Sequence, residues 1–155
     1  MSRATFLDDI AMSLGGYAAE ELVFGDVTTG PSNDLQVATN LARAMVTRWG
    51  MSDAIGAMAL EGDGGRAMFG TGIEDDELSK GASAKIGSEV KKIMDEARAR
   101  AIEVLTTHRK TLDAIADKLI EVETLEQPEY EEILKAHGIA LKKLEEGEKP
   151  VDIAG

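Results

Sequence analysis

An all-α fold, a bundle of about five helices, is what this sequence predicts, and three observations carry the prediction. Ala, Leu, Met, Glu and Lys are common while aromatic residues make up only 4% of the 155 residues, a balance that favours helix over strand. Apolar residues recur at three- and four-residue spacing through most of the chain, the stripe of an amphipathic helix. The three prolines, Pro31, Pro128 and Pro150, leave long stretches free to run as helix.

The first helix is read from about Ala4 to Phe24, with Phe6, Ile10, Leu14, Tyr17, Ala18 and Leu22 along one face. Gly15 and Gly16 fall in its middle, where each costs roughly 1 kcal/mol relative to alanine. Close approach of another backbone is the expected compensation. Glu21 lies one turn beyond Tyr17 and so points toward the apolar side, whereas Glu20 sits about 100° round on the flank. Turn formers then fill Gly25 to Ser32, GDVTTGPS. Asn33 or Ser32 is placed to cap a second helix, Asn33 with Gln36 imitating a capping box. That helix runs to about Arg48 with Leu35, Ala38, Leu41, Ala42, Met45 and Trp49 inward, and Gly50 is its stop signal.

Residues 51–76 change character. Six glycines between Gly56 and Gly72 separate the short apolar islands Met58-Ala59-Leu60 and Met68-Phe69, which reads as irregular chain with one short hairpin. A long helix follows from about Glu77 to His108, striped by Ile86, Val90, Ile93, Ala97, Ala101 and Val104. A shorter one covers Lys110 to Glu121 through Leu112, Ile115, Ala116 and Leu119. The last begins at Gln127-Pro128, proline being well placed at a first helical position, and uses Tyr130, Ile133 and Leu134. The organisation expected is two parts of one domain, residues 1–76 and 77–146, with a disordered tail over 147–155.

Composition excludes several functions. The net charge of −12 repels phosphate backbones and argues against nucleic acid as a partner. With no cysteine there is no disulfide, thiolate chemistry, iron–sulfur cluster or cysteine zinc site. No apolar run approaches the roughly 18–20 residues of a membrane span, and Arg3, Asp8 and Asp9 leave no signal-sequence pattern at the start. The sequence holds no P-loop, no GxSxG, no Glu-x-x-His pair and no HExxH, so it contains no catalytic residue of those kinds. Its two histidines, His108 in TTHRK and His137 in KAHGIA, read as surface side chains near helix ends.

Three carboxylates remain of interest. On spacing alone Asp34 is a carboxylate on a first helical turn, stabilised by free N–H groups and the dipole. The alternative is an oxygen ligand to a metal, at about 2.0–2.2 Å if zinc, needing two or three partners that this sequence does not supply. A Glu beside an apolar stripe costs several kcal/mol unless paired. For Glu20 and Glu21 the options are a salt bridge, to Arg43 or Arg48, or acceptance of the N–H of a metal-bound imidazole.

The stretch LGGYAAEELVFGDVTTGPSNDLQVATNLARAMVTRWGMSDAIG, residues 14–56, closely resembles the zinc-peptidase domain of the FtsH family of membrane-anchored AAA+ proteases. The family pattern is LGGRxAEE, a short loop, TTGAxNDL and a helix ending in (R/K)(W/F)GMS. IADKLIEVETLEQPEYEEIL, residues 115–134, is similar to the helical region that follows. Tyr17 stands where arginine is common and Pro31 where alanine is common.

The resemblance implies a helical peptidase domain on the cytoplasmic, matrix or stromal side of a membrane. It also implies an ATPase ring using ATP and magnesium, assembly as a homohexamer, and protein or peptide substrates, unfolded or membrane-embedded. Zinc is held there by the two histidines of HExxH and a later aspartate, while the Glu of HExxH activates the bound water. Asp34 matches that aspartate. Glu20, Glu21 and Asn33 match positions beside the metal, with periodicity favouring Glu21 as the inward acid. Because HExxH is missing, a truncated and inactive piece of the peptidase is expected, with apolar surface uncovered near Leu14, Tyr17 and Leu41. A non-catalytic helical oligomerisation or interaction module is the alternative.

Overall fold

The computed structural model describes residues 1–60 and 76–140. Among them are six helices and no strand: α1 (Arg3–Ser13), α2 (Gly15–Phe24), α3 (Ser32–Thr47), α4 (Asp76–Thr107), α5 (Arg109–Val122) and α6 (Gln127–Ala136). The all-α expectation holds. The described residues form two compact units, divided between Thr107 and His108.

The predicted first helix is two helices. Ser2 caps α1, its hydroxyl accepting from Thr5 N–H at 3.2 Å. At Leu14 ψ opens to −1°, far from the helical value near −42°, and α2 starts one residue later. Backbone bonds meet at the junction from both sides, Leu14 N–H to Ile10 O at 3.0 Å and Ala18 N–H to Leu14 O at 2.9 Å. The expected close approach at the paired glycines is absent: a Cβ on Gly15 or Gly16 meets nothing within 4 Å. Their role is to lower the helical propensity where the chain bends.

The break preserves the stripe. Phe6, Ile10, Leu14 and Ala18, four residues apart, are all buried. Phe6, Ile10 and Leu14 join Ala38, Ala42, Met45 and Val46 of α3 and Ile86, Ile93 and Ala97 of α4 in the core of the first unit. Helix α4 is the shared wall, packing on α1, α2 and α3, while α1 also packs on α3. Alanines on both α3 and α4 let the helix axes approach closely, and each buried Ile, Leu or Met contributes roughly 1.5–3 kcal/mol. Because Leu14 is only 2% exposed, it adds nothing to the uncovered apolar surface expected around it; Tyr17 and Leu41 are half-buried. Val104, placed on the α4 stripe, is exposed. So is Trp49 in part, although its ring stacks on Phe6 with centroids 4.6 Å apart.

Gly50, at φ 60°, turns the chain out of α3. Residues 51–60 then loop back to its last turn without forming a strand. Met51 N–H donates to Met45 O (2.9 Å) and Leu60 N–H to Thr47 O (2.7 Å). Ser52, buried, donates its hydroxyl to Glu89 of α4 at 2.6 Å and accepts from Ile55 N–H at 3.2 Å. The Met68-Phe69 island and the tail lie outside the described residues, as does any hairpin built on them.

In the second unit α5 and α6 pack on each other. Glu126 N–H donates to the Glu129 carboxylate at 3.2 Å, and Pro128 occupies the first turn of α6 as the sequence suggests. Leu112, Ile115, Ile133 and Leu134 are half-buried, but Ala116, Leu119 and Tyr130, expected on inner faces, are exposed. His108 and His137 are exposed next to helix ends, His137 Nδ1 lying 2.9 Å from Ile133 O.

Candidate functional site

The site is built around the entry to α3. Helix α2 ends at Gly25, whose left-handed φ of 66° reverses the chain while its N–H bonds to Glu21 O at 3.0 Å. The loop that follows is tied back to the helix it left. Thr28 N–H donates to Glu20 Oε2 at 2.8 Å, and Thr28 Oγ1 donates to Glu20 Oε1 at 3.0 Å. That hydroxyl in turn accepts from Gly30 N–H at 3.1 Å. Ser32 N–H then closes a turn onto Thr29 O at 3.1 Å, and Pro31, buried, seats the loop against the protein.

Capping differs from the sequence expectation. Pro31 is the N-cap residue, with no side-chain cap bond, and Ser32 and Asn33 are already helical. Proline supplies the required φ of −79° and has no N–H to satisfy. Asp34 is the third helical residue, and the first α3 bond, Leu35 N–H to Pro31 O at 3.0 Å, closes just beyond it. Its carboxylate is exposed and makes no hydrogen bond or ion pair with a described residue. Helix capping therefore does not occupy it, although the α3 dipole still favours its negative charge. Asn33 is likewise exposed.

Glu21 is engaged elsewhere. Its carboxylate grips the Arg98 guanidinium of α4 in a two-point fork, Nε to Oε2 at 3.0 Å with Nη2 on Oε1. The hydrogen bonds to Glu21 hold the Arg98 pKa above its ordinary value. The basic partner is thus Arg98 and not Arg43 or Arg48. With a third of the Glu21 side chain and more of Arg98 exposed, the pair fixes geometry more than it adds stability. Arg100 makes a similar tie from α4 to Asp8 of α1, at 2.9 Å. The Glu20 clamp and the Arg98 fork escaped the sequence reading because each joins side chains whose proximity depends on tertiary geometry.

A catalytic zinc has three protein ligands and an open position. Among the described residues no three His, Cys, Asp or Glu side chains converge. These residues do not by themselves hold a zinc ion; Asp34 is one available oxygen donor.

The profile of Peptidase family M41 matches residues 1–133. The chain belongs to peptidase family M41. Among its M41 relatives is the ATP-dependent zinc metalloprotease FtsH 3 of Synechocystis sp., 42% identical over 146 residues, 92% of this chain and 24% of that protein. The ATP-dependent zinc metalloprotease FtsH of Thermobaculum terrenum is 44% identical over 126 residues, 81% of this chain and 20% of that protein. That of Trieres chinensis is 41% identical over 147 residues, 92% and 23% respectively. The chain thus spans about a quarter or less of the length of these M41 proteins. No helix among its described residues is long and apolar enough to cross a membrane.

Proposed function

We propose that this chain is the carboxylate-donating part of an M41 zinc peptidase domain, with Asp34 as its one metal ligand. The observation that carries this reading is the exposed, unengaged Asp34 carboxylate at the start of α3, beside a loop fixed by side-chain bonds. A carboxylate that served only to cap α3 would spend its oxygens on backbone N–H groups. The two imidazoles and the general base that complete such a site come from an HExxH segment, which this sequence lacks. Zinc, when bound, supplies a polarised water for amide hydrolysis. This chain's part is to present one oxygen from a rigid helix terminus.

The names of the relatives add ATP dependence to the proposal, and the resemblance to the FtsH family adds the rest. Unfolded or membrane proteins are the substrates, degraded by a membrane-anchored homohexamer powered by ATP and magnesium on the cytoplasmic, matrix or stromal side. The 155-residue chain alone is expected to hold far less than one zinc and to cleave no casein. Joined to an HExxH-bearing helical segment it gains both, and Asp34→Asn in the joined protein loses both. Stoichiometric zinc in the chain alone, or casein cleavage undiminished by Asp34→Asn, overturns the reading.

A further inference from the structure

We infer that Glu20 is a positioning residue that fixes Asp34 through the loop and not through an imidazole. The inference rests on the zinc reading above. Both Glu20 oxygens are used within this chain: Oε2 takes Thr28 N–H at 2.8 Å and Oε1 takes the Thr28 hydroxyl at 3.0 Å. The hydroxyl passes the constraint on by accepting Gly30 N–H at 3.1 Å. One residue later Pro31 is buried and has its φ locked by its ring, and three residues after that stands Asp34. The path from Glu20 to Asp34 therefore runs through three hydrogen bonds, the Pro31 ring and the first turn of α3.

The space around Gly30 supports the same assignment. A Cβ there lies 3.2 Å from Thr28 Oγ1 and 3.4 Å from Glu20 Oε1, tight against the two groups of the clamp. The loop is thus shaped around the carboxylate–hydroxyl pair. Glu21, the neighbouring acid, cannot substitute, because its oxygens are on Arg98. Hydrogen bonds to a carboxylate are charge-assisted and about twice as strong as neutral ones, so the clamp persists on an exposed loop.

The test has two arms. In the 155-residue chain, amide hydrogen exchange at Thr28 and Gly30 is followed by NMR. Glu20→Ala is expected to speed exchange at both amides by about tenfold and to shift the Asn33 and Asp34 amide signals. Thr28→Val, on the exposed loop, frees the Gly30 amide without challenging the core, and Thr28→Ser restores it. Unchanged exchange at both amides in Glu20→Ala overturns the clamp.

In the chain joined to an HExxH segment, zinc affinity is measured by chelator competition. Glu20→Ala and Thr28→Val are expected to weaken it about tenfold or more, with Thr28→Ser near the parent value, while the helix signal stays constant. If Asp34→Asn abolishes zinc binding but Glu20→Ala and Thr28→Val leave it unaltered, positioning is overturned and the metal reading stands. If Asp34→Asn itself leaves zinc binding unaltered, the metal reading falls and this inference with it.

Discussion

Two glycines show how much one residue decides. Gly25 and Gly50 both hold left-handed φ values, 66° and 60°, at helix exits. At Gly25 an added Cβ meets nothing, so Gly25→Ala is expected to cost only the left-handed strain, about 1–2 kcal/mol. At Gly50 the same Cβ lies 3.1 Å from both Ala57 Cα and Met58 N, atoms of a backbone that itself folds back on α3. Gly50→Ala is therefore expected to cost more than Gly25→Ala in urea unfolding; equal losses contradict the packing described. Ile10, fully buried, is expected to lose about 2–5 kcal/mol on truncation to alanine, read the same way.

The sequence pointed to Asp34 because the TTGPSND pattern is local, and to Glu20 and Glu21 because they adjoin it. It did not reveal their partners. Glu21 finds Arg98, 77 positions away, and Glu20 finds Thr28 only because Gly25 reverses the chain.

At the level of elements, periodicity located the helical stretches among the described residues but missed the break between α1 and α2. The apolar stripe from Phe6 to Ala18 keeps a four-residue step through the bend at Leu14, so a hydrophobic pattern alone cannot distinguish one helix from two. The glycines carried the missing signal, read as close packing when they mark a break. Since a methyl group at Gly16 meets nothing, Gly16→Ala is expected to stabilise the chain by about 0.5–1 kcal/mol. A lower melting temperature for Gly16→Ala contradicts the open space described. The start of α3 was misread for a related reason. Ser32 and Asn33 are favoured caps in isolation, but Pro31 is buried just ahead of them and takes the cap position. On α5 and α6 the stripe was legible while its burial was not, because Leu119 and Tyr130 stand on apolar positions that no described neighbour covers fully.

At the scale of the molecule, the buried apolar side chains among the described residues all belong to residues 1–107. Thr111 is the only buried residue of α5, and α6 has none. Amide exchange is therefore expected to be slowest in α1, α3 and α4 and markedly faster in α5 and α6. Uniform protection across all six helices contradicts that division. Family membership places the chain among M41 peptidases; under the function proposed above, the work falls on one exposed oxygen donor in the better-packed unit.

Zinc affinity with and without that donor is the most direct measurement. The chain is joined to an HExxH-bearing segment and the zinc Kd determined for Asp34 and for Asp34→Asn, with circular dichroism confirming equal helix content. A loss of at least about tenfold on Asp34→Asn is predicted, since the proposed site would lose one of its three protein ligands. Equal zinc affinity in the two proteins contradicts the account and leaves Asp34 as a charge at a helix end.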